Sequence, residues 1–424
     1  MTLTQKTANA RRLAERAVAR CRTLASFSED AGSLRRTFLS PPMRDVHREI
    51  ASWLAPLGMK ARIDAVGNLR AIYPAIDPSA ARLLIGSHLD TVPNAGIYDG
   101  MLGVVLAVAL LEGLEGRHLP YAIEVIGFSE EEGVRFGIPF IGSRALVGRI
   151  DDELLNKSDA AGASVQEAIE QFGLNLAEIQ QDVLDNDACA YLEFHIEQGP
   201  VLENVGRALG VVGAIAGQTR MDFVFTGLAN HAGTTPMNLR FDAMAGAAEW
   251  IIAVERTAKN TPGLVATVGS VETRPGATNV IAGEVRATLD VRHSNDDQRN
   301  RAVEQISCAS QDIARARGLS VSVNTRMNQP AVPMDATLVA QIERAIHDVG
   351  CEPHRMGSGA GHDAMILAEK VPSAMIFLRT PNGISHDPTE SVSVADVAQA
   401  IECGLQLLDQ LSSHPLFQPR TLRA

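Results

Sequence analysis

The segment GSHLDTVPNAGIYDG (86–100) brings His88, Asp90 and Asp99 into one short stretch. Three later segments carry the same kinds of donor: SEEEG (129–133), EFHIEQGP (193–200) and GISHDPTE (383–390). Imidazole plus carboxylate is a borderline donor set that suits zinc, with manganese, cobalt or nickel as further candidates. His88, His195 and His386, with Asp99 and Glu132, make five candidate ligands. Two ions need more donors than that, so one carboxylate must bridge and water must complete the set. Such a pair, about 3.5–4 Å apart, lowers the pKa of water and polarises a carbonyl. Asp90 follows His88 by two residues, lies on the same side of an extended chain, and could accept the other imidazole N–H. Glu131 and Glu132 point to opposite sides of an extended segment, which gives Glu132 to metal and Glu131 to general-base work.

Taken singly, each residue has an ordinary explanation. A histidine near a strand end is usually a satisfied polar group, an acidic triplet a solvated turn, and Asp-Gly a turn signal. Those explanations do not cover the recurrence. The apolar run 83–85 leads to His88, 122–126 to Glu130, Glu131 and Glu132, 190–192 to His195, and 374–378, after a short loop, to His386. Short apolar runs closed by Gly or Pro suit buried strands of an α/β sheet. Ligands of open α/β sheets bind beyond the carboxyl ends of the strands. Four segments thus deliver ionisable groups to one edge.

At 424 residues the chain exceeds what one core supports, so two domains are expected. Ligand-bearing strands lie both early and late, which assigns 1–213 plus 328–424 to one catalytic domain and 214–327 to an insertion. In the insertion, Met221, Phe223 and Phe225 alternate with polar residues. A helix over 241–256, strands over 264–271 and around 285–291, a polar helix over 297–316 and a strand over 319–323 follow. That β-α-β-β-α-β order is ferredoxin-like. The arginines at 11, 12, 16, 20 and 22 belong to an amphipathic first helix with Leu13, Ala17 and Val18 on its apolar stripe, rather than to a transit peptide. A net charge of −12 argues against nucleic acid and anionic membranes as partners. No apolar run reaches the roughly 20 residues that span a bilayer. Five cysteines without metal-type spacing read as free thiols in a reducing compartment, which points to the cytoplasm.

These motifs resemble those of the hydantoinase/carbamoylase family of dinuclear zinc amidohydrolases, relatives of zinc aminoacylases and carboxypeptidases. The resemblance runs from about Thr23 onward and rests on GSHLDTVPNAGIYDG, SEEEGVRFG, EFHIEQGPVLE, NHAGTTPM, SGAGHDA and GISHDPTE in the family's order. It implies an α/β, metal-dependent exopeptidase-like catalytic domain with an inserted α+β, ferredoxin-like domain for dimerisation and closure. His88, Asp99, Glu132, His195 and His386 are then the metal ligands, Asp99 the bridge and Glu131 the base. Where related peptidases place a carboxylate, this chain has His195, as in the carbamoylase branch. From spacing alone, Arg292 and Asn279 are as readily surface groups as site residues, and His231 as readily the cap of a turn. The resemblance instead makes Asn279, Arg292 and Gln198 substrate contacts, makes His231 an oxyanion stabiliser reaching a neighbouring subunit's site, and puts Gly361 and His362 along the pocket.

The implied reaction is hydrolysis of the terminal ureido C–N bond of an N-carbamoyl-L-amino acid or allantoate. Glu131 takes a proton from water, the water attacks the ureido carbonyl, and the proton passes to the departing nitrogen. Ammonia and carbon dioxide result. The substrate carboxylate meets Arg292, Asn279 and Gln198, arginine being suited to forked recognition. Hinges are expected near Gly213 and Met327. Arg379 either meets a second polar substrate group or pairs with a surface acid. An aminoacylase or dipeptidase, and a non-catalytic metal-binding protein, are the alternatives. His195 speaks against the former and Glu131 against the latter.

Overall fold

The computed structural model describes residues 3–417. It divides into two compact units: Met1–Gly213, Met334–Met356 and His362–Ala424 form the first, Ala214–Pro333 and Gly357–Gly361 the second. The strands are β1 (Arg62–Ile63), β2 (Leu69–Tyr73), β3 (Arg82–His88), β4 (Ala122–Phe128), β5 (Ala188–Ile196), β6 (Leu209–Ile215), β7 (Gly217–Thr226), β8 (Val265–Arg274), β9 (Glu284–His293), β10 (Ser320–Gln329), β11 (Val332–Pro333), β12 (Arg355–Ser358) and β13 (Ser373–Leu378).

In the first unit the sheet runs β1-β2-β4-β3-β5-β13-β6. Its centre, β4-β3-β5-β13, is parallel, while β2 and β6 join antiparallel on either side. The central strands read as unbroken apolar runs because both faces are covered, and every residue of β5 and β13 is buried. Register places His88 opposite Phe128 at the ends of β3 and β4, and His195 opposite Phe377 near the ends of β5 and β13. One edge therefore receives all four donor segments.

Helix Met101–Gly113 begins directly after Asp99-Gly100 and is apolar all round, MLGVVLAVALLEG, with Met101 to Leu111 buried throughout. Such a helix has no solvent face. It packs on β3 and β5 and is covered by helices Leu3–Ala25 and Val394–Leu411. The arginine-rich N-terminal segment is thus a helix that buries Leu13, Ala17 and Val18, together with Ala14 and Cys21. Close approach of the buried helix depends on Gly103, where a Cβ would sit 2.2 Å from the Phe194 carbonyl oxygen and 2.7 Å from Ser87 Cβ.

The second unit is β7-helix-β8-β9-helix-β10, with helices Ala243–Asn260 and Asp296–Ala316. Its antiparallel sheet has the order β10-β7-β9-β8, as the ferredoxin-like pattern requires. Phe223, Phe225, Leu289, Val291, Trp250 and Ile306 form its core. The boundary expected at Met327 moves to Pro333, because β10 continues to Gln329 and β11 then pairs with Ala214 and Ile215. The unit also takes in Gly357–Gly361, so the chain passes between units at four points and not only near the two expected hinges. That division cuts SGAGHDA between Gly361 and His362.

Gly103→Ala forces the helix off the sheet and is expected to cost about 1–3 kcal/mol, the range for overpacking a close-packed interior. Denaturant unfolding measures this; a stability equal to wild type would show that the contact yields freely.

Candidate metal centre

Asp99 lies where the ligand segments meet. His195 Nε2 stands 3.3 Å and His88 Nε2 3.8 Å from its Oδ1, and His386 Nε2 stands 3.1 Å from its Oδ2. The Nε2 atoms of His88 and His195 are themselves 3.5 Å apart. His386 Nε2 is also 3.6 Å from Glu132 Oε1. Four groups of donor atoms follow, each within 4.8 Å of one another: His88, Asp99 and His195; Asp99, Glu132 and His386; His88, Glu131 and Glu132; and Glu193, His195 and His362. Asp99 and Glu132 are the carboxylates that belong to two of them, and Asp99 is the one that three imidazoles face, as they would a bridging carboxylate.

The imidazole tautomers test whether this set suits metal. His88 Nδ1 is 3.0 Å from the Asp90 carbonyl oxygen, and His195 Nδ1 is 2.9 Å from that of Ile196. A carbonyl only accepts, so each Nδ1 carries a hydrogen and each Nε2 is the atom turned inward, with a lone pair to offer whenever the ring is neutral. Lone pairs facing carboxylates in a buried site need a cation between them. The donor chemistry fits divalent ions.

Electrostatics agrees. Burial raises the Glu131 carboxyl well above its usual range, with Glu132, Asp363 and Asp90 adding to the rise and His88 opposing it. Burial, with Asp99 next, raises Glu132 to about 7. Burial would raise Asp99 as well, yet His386, His195 and His88 outweigh it and hold this carboxyl below its usual value. Burial pushes His195 down to about 4 despite Asp99. His88 is pulled the other way: burial opposes its charge, but Asp90, Glu131 and Asp99 raise it well above the ordinary value.

Asp90 has a further task besides the one its spacing suggests. Its backbone oxygen lies 3.0 Å and its carboxylate 3.5 Å from His88 Nδ1, so both orient the ring. The carboxylate also accepts the backbone N–H groups of Glu131 (2.9 Å) and Glu132 (3.0 Å). This clamp bends the 130–133 segment, so the two glutamates are not on opposite sides of an extended chain. Both reach His88's neighbourhood together. The acidic triplet is no solvated turn, since Glu130 and Glu131 are buried.

Other expected site residues are placed as follows. Gln198 Nε2 donates to both oxygens of Asp99 at 3.0 Å, from a backbone with φ of 58°. His386 also has a left-handed backbone, φ 56°; neither is glycine, and such strain is stored where function needs it. His362 is buried, edge-on to His195 with ring centroids 4.5 Å apart, and against Phe377. It backs the His195 ring, and its donor atom lies within 4.8 Å of those of Glu193 and His195. Arg379 forks onto Asp396 at 2.9 and 2.7 Å, which leaves it paired rather than turned to a substrate.

In the second unit His231 is exposed, and its Nδ1 accepts the N–H groups of Gly233 and Thr234. Nε2 therefore carries the hydrogen. Asn279 is tied to the same loop through its carbonyl, which accepts Ala232 N–H at 2.9 Å. Arg292 lies on the sheet face opposite the core, with Asp290 and Gly359 as partners. Gly361 is exposed in this unit, apart from His362.

Two residues escaped the sequence reading. Glu390 closes the GISHDPTE motif, and its Oε1 accepts the backbone N–H groups of Tyr98 and Asp99 while Oε2 accepts Ser385 Oγ–H. One carboxylate thus ties the Asp99 loop to the His386 loop. Its signal was in the motif, but its partners are backbone groups that residue types do not reveal. Gly100 (φ 69°) is the other: a Cβ there would lie 2.4 Å from His88 Nε2.

The raised carboxyls make a stability prediction. Glu132, Glu193 and Glu390 sit at about 7 when folded against an ordinary value of 4.5. Their folded values exceed the unfolded ones, so the folded state binds more protons and loses stability as pH rises between the two. His47, His195 and His362 oppose this, but Asp64, Glu130, Glu131 and Asp363, also raised by burial, add to the three glutamates and outnumber them. The chelator-treated protein is expected to lose Tm from about pH 5 to about pH 8, and added divalent metal to restore more of it at the higher pH. A metal-free Tm that stays level or climbs across that interval would contradict the account.

Comparison with known proteins agrees with this geometry. The sequence model of peptidase family M20/M25/M40 matches residues 84–410. The chain is 39% identical over 435 residues to an allantoate deiminase of Arabidopsis thaliana, covering 95% of this chain and 82% of that one. It is 37% identical to an N-carbamoyl-L-amino acid amidohydrolase of Geobacillus stearothermophilus, covering 88% and 92%. A crystal structure of a hydantoinase/carbamoylase family amidase from Burkholderia ambifaria superposes with a TM-score of 0.87 at 33% identity, covering 94% and 98%. A sheet edge built to hold divalent ions, in a chain this similar throughout, belongs to peptidase family M20/M25/M40 and, within it, to the hydantoinase/carbamoylase amidohydrolases.

Proposed function

We propose that this chain hydrolyses the terminal ureido C–N bond of a small ureido carboxylic acid, allantoate or an N-carbamoyl-L-amino acid, releasing ammonia and carbon dioxide. The observation that carries the reading is the convergence of His88, His195 and His386 on Asp99, with the buried Glu131 carboxyl beside them. Relatives named for both substrates match 95% and 88% of the chain.

His88, Asp99 and His195 would hold one ion, and Asp99, Glu132 and His386 the other. The donor set favours zinc, with manganese, cobalt and nickel sharing its chemistry. Bound ions of this kind make water a nucleophile at neutral pH and polarise a carbonyl. Glu131 accepts the proton of the attacking water; its raised carboxyl pKa suits a group that must take a proton and give it back. It returns that proton to the departing nitrogen as the C–N bond breaks. The carbamic acid or carbamate formed then loses carbon dioxide. His231, neutral with Nε2–H exposed, is a donor suited to a tetrahedral oxyanion. Arg292 and Asn279 would hold the substrate carboxylate, while Gln198 holds Asp99.

The second unit supports a homodimer. β8 is the end strand of its sheet, with one side unpaired and Val265 and Val271 exposed, and Ile252 is exposed on helix Ala243–Asn260. An open edge beside apolar side chains is a template for a second copy. No described helix is long and apolar enough to cross a membrane. Cys21, Cys189, Cys308, Cys351 and Cys403 form no disulfide among the described residues, which suits the reducing cytoplasm.

The test is ammonia release by zinc- or manganese-loaded protein on allantoate and on a panel of N-carbamoyl-L-amino acids. Glu131→Gln is expected to keep its metal yet lose kcat by about three orders of magnitude or more. Near-wild-type turnover by that variant removes Glu131 as the base. Amine release from N-acyl amino acids without ammonia from any ureide would replace this reading with an aminoacylase.

A further inference from the structure

Strands β7 and β9 pair so that Gln218 faces Arg292 and Arg220 faces Asp290. Residues two apart share a face, and this one is turned from the core formed by Leu289 and Val291. All four side chains meet at the Asp290 carboxylate. Arg292 Nε reaches Oδ1 at 2.9 Å and its Nη2 reaches Oδ2 at 3.0 Å. Gln218 Nε2 and Arg220 Nε add bonds to Oδ2 of 2.5 and 3.1 Å. Arg292 Nη1 donates to the Gly359 carbonyl at 2.8 Å.

A guanidinium carries five N–H donors in one plane. Asp290 takes two and Gly359 one, which fixes that plane and leaves one N–H on each terminal nitrogen. Two parallel donors on adjacent nitrogens form a fork that fits a carboxylate. Gln218 and Arg220 hold Asp290 from the neighbouring strand, so the aspartate cannot swing to follow a mobile arginine.

We infer that Asp290 is a positioning residue that presets the Arg292 guanidinium for a substrate carboxylate and thereby sets selectivity for ureido acids over uncharged ureides. The inference rests on the reading of Arg292 as the carboxylate contact. A preset fork loses less conformational freedom on binding than a free arginine does. Asparagine cannot replace the aspartate here, because its amide N–H₂ would face an arginine N–H.

Substrate pairs differing only in the carboxylate provide the test: allantoate against methylenediurea, and N-carbamoylglycine against methylurea. Asp290→Asn is expected to lower the kcat/KM ratio of acid to neutral partner by about tenfold or more, through KM of the acid rather than kcat. Arg292→Ala should lower the ratio at least as far, and the double variant no further than Arg292→Ala alone, since the two residues act as one unit. Equal losses on acid and neutral partners, additive effects in the double variant, or a crystal structure of Asp290→Asn with the guanidinium plane unmoved would each overturn the inference. An unchanged ratio in Arg292→Ala would instead remove the carboxylate-contact reading, and the inference with it.

Discussion

A buried carboxylate facing three imidazole Nε2 atoms is the constraint around which this molecule is built. Asp99 is almost wholly enclosed, and enclosure of an unpaired charge is among the costliest things a fold can do. Glu131, Glu132, Glu193 and Glu390 crowd the same region, each with a raised carboxyl. Protons can relieve that crowding at low pH. Divalent cations held by these donors would relieve it at neutral pH, and would turn an electrostatic burden into the site for hydrolysis that the proposed function needs.

Much of the surrounding structure works to keep those donors in place. Parallel strands end together at one edge, and the buried helix Met101–Gly113 starts directly behind Asp99. Arg36, fully buried, donates through Nε to the Leu89 carbonyl at 2.7 Å, and its backbone N–H meets Thr91 Oγ1 at 2.9 Å. It therefore braces the chain on both sides of Asp90, which in turn fixes the Glu131–Glu132 backbone. Glu390 performs the matching task between the Asp99 and His386 loops. These carboxylates act on peptide N–H groups, and the catalytic groups inherit their geometry.

What could be read from residue order follows from that division. Apolar runs ending in His88, Glu130–Glu132, His195 and His386 announced both the strands and their common edge, because a strand buried on two faces has a distinctive composition. The alternation of Met221, Phe223 and Phe225 likewise announced the half-buried β7. Helix Met101–Gly113 left no such trace, since a helix apolar all round has no periodic stripe to detect. Bends and backbone partners were also hidden. An extended chain was the natural reading of Glu131–Glu132 until the Asp90 clamp bent it, and nothing in SGAGHDA tells that Gly361 and His362 separate into different units. Arg379 is a milder case: its partner Asp396 is 17 positions away, beyond any local rule.

The central claim is that Asp99 is shared between two ions. Metal content after exhaustive dialysis, measured by mass spectrometry on wild type, His386→Ala and Asp99→Asn, tests it most directly. The account predicts two ions per chain in wild type, one retained by His386→Ala, and neither held by Asp99→Asn. A wild-type protein that binds a single ion, or an Asp99→Asn variant that retains as much metal as His386→Ala, would contradict it.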